Sequence, residues 1–119
     1  MKPVKQGDRI VANIHQAAFE PWVFENDDPD QSSVLQLDKS RPNGVGLHIY
    51  KMEAGFTTTP HRHTSDETFL VLSGELIEND GTVYREGDFV LMKKGSEHSS
   101  YTRDGCVLAV YIETPEVPV

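Results

Sequence analysis

The stretch Gly55–Gly74, GFTTTPHRHTSDETFLVLSG, organises the rest of the chain, because it places two histidines and a glutamate where one metal ion could bind all three. His61 and His63 are two residues apart, so in an extended strand both side chains lie on the same face. Glu67 follows a polar turn and opens an apolar run in which it shares the inward parity of Phe69. A carboxylate that points into an apolar interior is costly unless a partner such as a metal ion offsets its charge.

A fourth candidate ligand follows in the stretch GDFVLMKKGSEH, which ends at His98. A short apolar strand and a glycine-containing turn can return this histidine to the same cavity from another strand. Three imidazoles and one carboxylate suit a divalent transition metal (Fe, Mn, Ni, Co, Cu or Zn) better than calcium or magnesium. The sequence therefore predicts a metal site formed by His61, His63, Glu67 and His98, without choosing among these metals.

The first of these stretches resembles the first motif of the cupin superfamily. The spacing of Gly55, His61, His63, Glu67 and Gly74 matches every defining position of that motif. Three of the five histidines of the chain fall on positions of the cupin motifs, which favours metal ligands over a chance surface pair.

The second stretch fits the frame of the second cupin motif. Gly87, Gly95 and His98 hold the expected positions, whereas Lys93 stands where the family has proline and Thr102 where it usually has asparagine. The sequence GSEHSSYTRDGCVLAVYI is most similar to the cupin domains of ChrR-like anti-sigma factors and their stand-alone relatives.

Turn signals recur roughly every eight to ten residues and no helical periodicity is present, which predicts an all-β protein. The resemblance implies a double-stranded β-helix, also called a jelly-roll or cupin barrel. We expect a single domain over residues 1–119, with the barrel core at about residues 34–113. Gly74 is expected to end the motif strand, and Cys106–Ile112 to form the last strand.

Composition narrows the range of partners. The formal net charge is -8, which argues against binding to nucleic acid or to anionic membranes. The single cysteine, Cys106, excludes an internal disulfide, and the N-terminal stretch has no apolar signal segment, so a cytoplasmic location is expected.

Several side chains near the site have no diagnostic spacing. In the predicted strand Val45–Met52, His48 is expected at the surface or at an interface more often than beside the ligand cavity. Tyr101 is expected to face away from His98, and Arg62 away from the two motif histidines. Tyr50, Tyr84 and Glu97 complete the candidates for an acid or base. The predicted apolar lining of the cavity consists of Phe56, Phe69, Val71, Phe89 and Leu91.

A homodimer is expected, because a barrel this small exposes sheet edges. Trp22, Phe24 and the proline-rich tail ETPEVPV are apolar material that could cover such edges. The tail itself is expected to be frayed or packed on a partner.

Three classes of function remain open. The favoured one is a metal-dependent dioxygenase acting on an apolar or aromatic small molecule, because four protein ligands leave two positions of an octahedral ion free. The second is a ligand-sensing regulatory module of the ChrR type. The third is a metal-stabilised structural domain or an isomerase, for which no basic cluster suggests a phosphate substrate.

Overall fold

The structure, a computed structural model, describes all 119 residues, Met1–Val119. It consists of β-strands and turns, and no helix is present that could span a membrane. The strands in chain order are β1 (Glu20–Pro21), β2 (Ser32–Leu35), β3 (Gly46–Met52), β4 (His61–Arg62), β5 (Glu67–Glu78), β6 (Val83–Arg85), β7 (Phe89–Met92), β8 (Glu97–His98), β9 (Ser100–Tyr101), β10 (Cys106–Ile112) and β11 (Val117–Pro118).

The strands form two antiparallel sheets that curl into a cupin barrel. The large sheet runs in the order β1-β2-β3-β10-β5-β6, and β7 and β9 also pair with β5. The small sheet has the order β11-β4-β8 and carries two of the motif histidines. The predicted all-β jelly-roll fold is therefore confirmed.

The longest strand, β5, continues through Gly74, so the expected break at this residue is wrong. The register with β10 shifts between Val107 and Leu108, where a β-bulge lets the strand bend without ending. Gly74 has a φ of 78°, and a Cβ atom there would overlap the carbonyl oxygen of Gly105. Glycine is thus required because the two backbones approach closely at the bend. One strand can then contribute to the site at both of its ends, with Glu67 and Glu78.

The inner face of β3 carries Tyr50 and Met52, while Leu47 on the outer face is 67% exposed. His48 lies on the inner face and is only 3% exposed, so its expected surface or interface position is wrong. In the sequence, both faces of this strand are apolar enough to be taken for the face that packs in the core. In the structure, the more hydrophobic face is the outer one. The inner face accepts an imidazole because it borders a cavity.

The barrel interior contains Phe69 and Val71 of β5 and the inward side chains of β10, with Phe56 also buried. Burying a side chain such as Phe69 contributes about 1.5–3 kcal/mol to folding. Phe89 and Leu91 on β7 are 77% and 52% exposed, so their predicted place in the cavity wall is wrong. The run FVLM is apolar on both faces and gives no alternation from which the inner face could be read.

The two ends of the chain also differ from expectation. Trp22 and Phe24 pack within the chain itself, with their ring centroids 5.3 Å from Tyr50 and 6.0 Å from His61. The tail is not frayed, because β11 pairs with β4. These segments thus cover the edge of the barrel to which they belong.

Candidate metal centre

Three imidazoles converge at one end of the barrel. His61 of β4 and His98 of β8 are directly opposite each other across the small sheet. His63 lies just after β4, where its backbone N–H donates to the carbonyl of Ser96 at 3.0 Å and continues this pairing. All three side chains are buried. The pairing of these strands therefore brings the three histidine side chains together, although His98 is distant in sequence from the other two.

Backbone and carboxylate acceptors fix the orientation of two of these rings. His61 donates from Nδ1 to the carbonyl oxygen of Thr59 at 2.8 Å. His98 donates from Nδ1 to Oε2 of Glu78 at 2.7 Å. In the neutral ring the other nitrogen, Nε2, then carries a free lone pair. Metal-binding histidines in proteins are held by such a second hydrogen bond.

The separations between the imidazole nitrogens suit a single ion, and Glu67 lies beside one of these imidazoles. Two ligand atoms about 2.0–2.1 Å from one ion lie about 2.9 Å apart at right angles and about 4.1 Å apart across it. The Nε2 atoms of His63 and His98 are 2.8 Å apart, and Nε2 of His63 is 3.8 Å from Oε1 of Glu67. The three imidazoles offer ligand atoms that all lie within 4.8 Å of one another, so they could hold a metal ion.

Burial shifts the pKa values of two members of this cluster, His63 and Glu67. Burial and the neighbouring imidazoles of His98 and His61 lower the pKa of His63 to about 4, so this ring is neutral and able to act as a ligand near pH 7. Burial, together with the charges of Glu116 and Glu78, raises the pKa of Glu67 well above its ordinary value. A divalent cation would offset the cost of that buried carboxylate.

Two carboxylates that the sequence did not single out belong to this cluster. Glu78, at the far end of β5, accepts from His98 and from the hydroxyl of Ser100 at 2.6 Å. Burial alone would raise the pKa of Glu78, but these hydrogen bonds lower it overall. Glu116, just before β11, places Oε2 3.4 Å from Nε2 of His61. Local sequence spacing does not predict either residue, because each reaches the site through the pairing of strands that are distant in sequence.

A small cavity of about 60 Å³ opens beside the imidazoles. At about 10–15 Å³ for each water this is room for roughly four to six water molecules. His48 borders the cavity and donates from Nδ1 to the carbonyl of Gly46 at 2.9 Å. The polar lining includes His61, Glu67, His98 and Glu116, and the apolar lining includes Trp22, Phe24, Met52, Phe69, Leu76, Leu108, Val110 and Ile112.

The other candidates for an acid or base differ in their position relative to the cavity. Tyr50 is buried and borders the cavity. Tyr84 donates to Oε2 of Glu78 at 3.3 Å, and burial together with the charge of Glu78 raises its pKa to about 12. Arg62 pairs with Glu97 at 3.8 Å on the outside of the small sheet. Tyr101 is 36% exposed and faces away from the imidazoles, as its spacing predicts.

The fold is shared with solved structures of diverse proteins. The polyketide cyclase RemF from Streptomyces resistomycificus matches with a TM-score of 0.72 at 18% identity, over 93% of this chain and 85% of that chain. An acetylacetone dioxygenase from Acinetobacter johnsonii matches with a TM-score of 0.68 at 10% identity, over 100% of this chain and 82% of that chain. Identities this low establish the fold alone.

A further match is the complex of Rhodobacter sphaeroides SigE with the anti-sigma factor ChrR, with a TM-score of 0.62 at 16% identity. It covers 82% of this chain and 50% of that chain, so this chain spans about half the length of that protein. A search of curated protein sequences finds no match. The sequence model of the ChrR cupin-like domain, however, matches residues 7–114, which is most of the chain. The protein therefore belongs to the ChrR cupin-like domain family.

Proposed function

We propose that His61, His63, Glu67 and His98 bind one divalent transition metal ion and that the protein is a small-molecule metalloenzyme of the dioxygenase type. The observation that carries this proposal is the convergence of three buried imidazoles and an inward carboxylate beside an apolar cavity. A bound ion of this class supplies Lewis-acid and oxygen-activating chemistry.

The residues of the chain act by holding and shielding the reacting groups. The carbonyl of Thr59 and the carboxylate of Glu78 keep His61 and His98 in the tautomer whose Nε2 faces the centre. Phe69 and the side chains of β10 present apolar surface to the substrate and exclude water from it. His48 offers a neutral imidazole at the cavity wall, and burial lowers its pKa.

The small cavity limits the substrate to a small molecule. A cavity of about 150 Å³ is known to accept benzene, whereas this one measures about 60 Å³. Acetylacetone and catechol both have more heavy atoms than benzene, so either would have to widen the cavity to bind, and volume does not choose between them. A linear β-diketone is the first substrate to test, because an acetylacetone dioxygenase shares the fold.

Oxygen uptake tests the proposal. The protein is loaded with Fe(II) without air, acetylacetone or catechol is added, and air is then admitted. We expect oxygen uptake that requires acetylacetone, is lost in His98→Ala, and persists in His15→Ala, which changes an exposed histidine. The protein is also loaded in turn with each of the other five metals. If acetylacetone binds but no metal supports oxygen uptake, the proposed dioxygenase function is contradicted.

A sensor function is the second candidate, because the chain belongs to the family of the ChrR cupin-like domain. In that case a small molecule would bind at the metal and raise the melting temperature without turnover. The same panel of compounds, followed by thermal unfolding, distinguishes a sensor from a metal-stabilised structural domain, which would respond to metal alone.

We also propose that the protein is a cytoplasmic homodimer. Leu47 and Tyr111 are opposite each other on the outer face of the large sheet and are 67% and 37% exposed. Ile10 and Val11 are 68% and 78% exposed in an N-terminal segment, so a second copy could cover both surfaces. Light scattering should give twice the chain mass of 13.3 kDa, falling toward the monomer in Leu47→Glu. A monomeric mass for the wild type at micromolar concentration would refute the dimer.

A further inference from the structure

Glu116 is a largely buried acid in a segment whose other residues are mostly exposed. Its side chain is only 12% exposed, whereas Thr114, Pro115 and Pro118 around it are exposed. A carboxylate withdrawn from water needs a compensating partner. The ion-pair partners of Glu116 are imidazoles, and no lysine or arginine lies within pairing distance of it.

The neighbours of this carboxylate are the proposed metal ligands. Oε2 of Glu116 is 3.4 Å from Nε2 of His61 and 3.8 Å from Nδ1 of His63. Because His61 donates from Nδ1 to Thr59, its Nε2 presents a lone pair toward the carboxylate. Two electron-rich atoms facing each other require a proton or a cation between them. Glu116, His63 and Glu67 also offer ligand atoms that lie within 4.8 Å of one another.

The segment that carries Glu116 is held to the barrel by hydrogen bonds at the protein surface. β11 pairs with β4 over only two residues, and the N–H of Val119 donates to the carbonyl of Pro60 at 3.2 Å. The hydroxyl of Thr64 donates to the carbonyl of Pro115 at 2.7 Å, and Oγ of Ser65 accepts from the N–H groups of Glu113 and Thr114 at 3.2 Å. A short strand held by exposed hydrogen bonds can open at a low free-energy cost.

Glu116 also limits the space beside the imidazoles. It forms part of the wall of the 60 Å³ cavity, on the same side as His61. Withdrawing the segment would enlarge this cavity and free the ligand position that the carboxylate occupies. The same residue can therefore contribute to metal binding and restrict the access of small molecules.

We propose that Glu116 is a second carboxylate ligand of the metal site, carried by the segment 113–119, and that a bidentate small molecule must displace it to bind. This inference rests on the proposed metal site. With three imidazoles and two carboxylates, an octahedral ion keeps one free position, which is too few for a chelating ligand.

Metal competition in Glu116→Gln tests the first half of this proposal. The substitution keeps the shape of the side chain and removes its charge, and Glu113→Gln is the matched control on the exposed part of the segment. We expect zinc affinity, measured against a chromophoric chelator, to fall about tenfold in Glu116→Gln, with faster release of zinc to excess chelator. Glu113→Gln should match the wild type, and Glu116→Asp should fall between the two.

A titration with acetohydroxamate, a small bidentate chelator, tests the second half. Followed by the visible spectrum of the cobalt-loaded protein, it should bind about tenfold more tightly to Glu116→Gln, because no carboxylate has to be displaced. Zinc and acetohydroxamate affinities equal to those of the wild type would overturn the role of Glu116. A wild type that binds no metal would instead overturn the proposed function, so the two failures are distinguishable.

Discussion

Nδ1 of His98 lies 2.7 Å from Oε2 of Glu78, and both side chains are buried. The pair links the end of the longest strand to an imidazole of the proposed metal site, and it fixes which nitrogen of that ring faces the other imidazoles. Glu78 touches no other imidazole, so its effect on metal binding is one of positioning.

Weakening this hydrogen bond should lower metal affinity without abolishing binding. We expect the zinc dissociation constant to rise about tenfold in Glu78→Gln and toward 100-fold in Glu78→Ala, which leaves the Nδ1 hydrogen of His98 without its acceptor. Glu75→Gln, on the same strand but half-exposed, should leave affinity unchanged. Equal affinities in Glu78→Ala and Glu75→Gln would show that Glu78 does not orient the ligand.

The lowered pKa of His63 makes the metal-free protein sensitive to acid. The unfolded chain protonates this residue near pH 6.5, whereas the folded chain does so only near its pKa of about 4. Stability is therefore lost as the pH falls from about 6.5 to about 4. Urea unfolding of chelator-treated protein should show a shallower loss over this range in His63→Gln, and parallel curves for the two proteins would contradict the assignment.

Glu67 behaves in the opposite sense, because burial and neighbouring carboxylates raise its pKa. Its favourable contribution to stability is present below about pH 4.5 and is lost as the pH rises through its pKa in the folded protein. Glu67→Gln should therefore stabilise the metal-free protein more at high pH than at low pH, so its melting temperature relative to that of the wild type should rise between pH 5 and pH 8. The same substitution should weaken metal binding. A difference in melting temperature that does not change between pH 5 and pH 8 would contradict this account of Glu67.

The bend of β5 gives a prediction about stability alone. Gly74→Ala must adopt a positive φ and must also separate two backbones, whereas Gly81→Ala meets a positive φ of 92° with open space around it. We expect Gly74→Ala to lose at least about 2 kcal/mol more than Gly81→Ala in urea unfolding. Similar losses would mean that β5 can shift away from Gly105 without cost.

The sequence predicts the parts of the site that depend on local geometry. His61 and His63 share a face through the period of an extended strand, and Glu67 keeps the parity of the strand that it begins. The glycine-containing turn before His98 predicts a return to the same cavity, and the structure brings these residues together. Short-range spacing is sufficient here because the two motifs are local units joined by strand pairing.

The other residues of the site could not be predicted, because their positions depend on contacts with residues distant in sequence. Glu116 enters the site because β11 pairs with β4, and a tail of valines and prolines carries no signal for that pairing. His48 is on the inner face of a strand whose two faces are both apolar, so periodicity alone selects the wrong face. The same ambiguity explains why Phe89 and Leu91 are outside the cavity.

Metal analysis of the purified protein tests whether the three imidazoles and Glu67 bind an ion. We expect about one divalent transition metal ion for each wild-type chain, with the same content in His15→Ala, whose histidine is exposed. The His61→Ala/His63→Ala double variant should contain almost none while keeping a β-sheet circular dichroism spectrum. A double variant with the metal content of the wild type would contradict the assignment of these imidazoles as ligands.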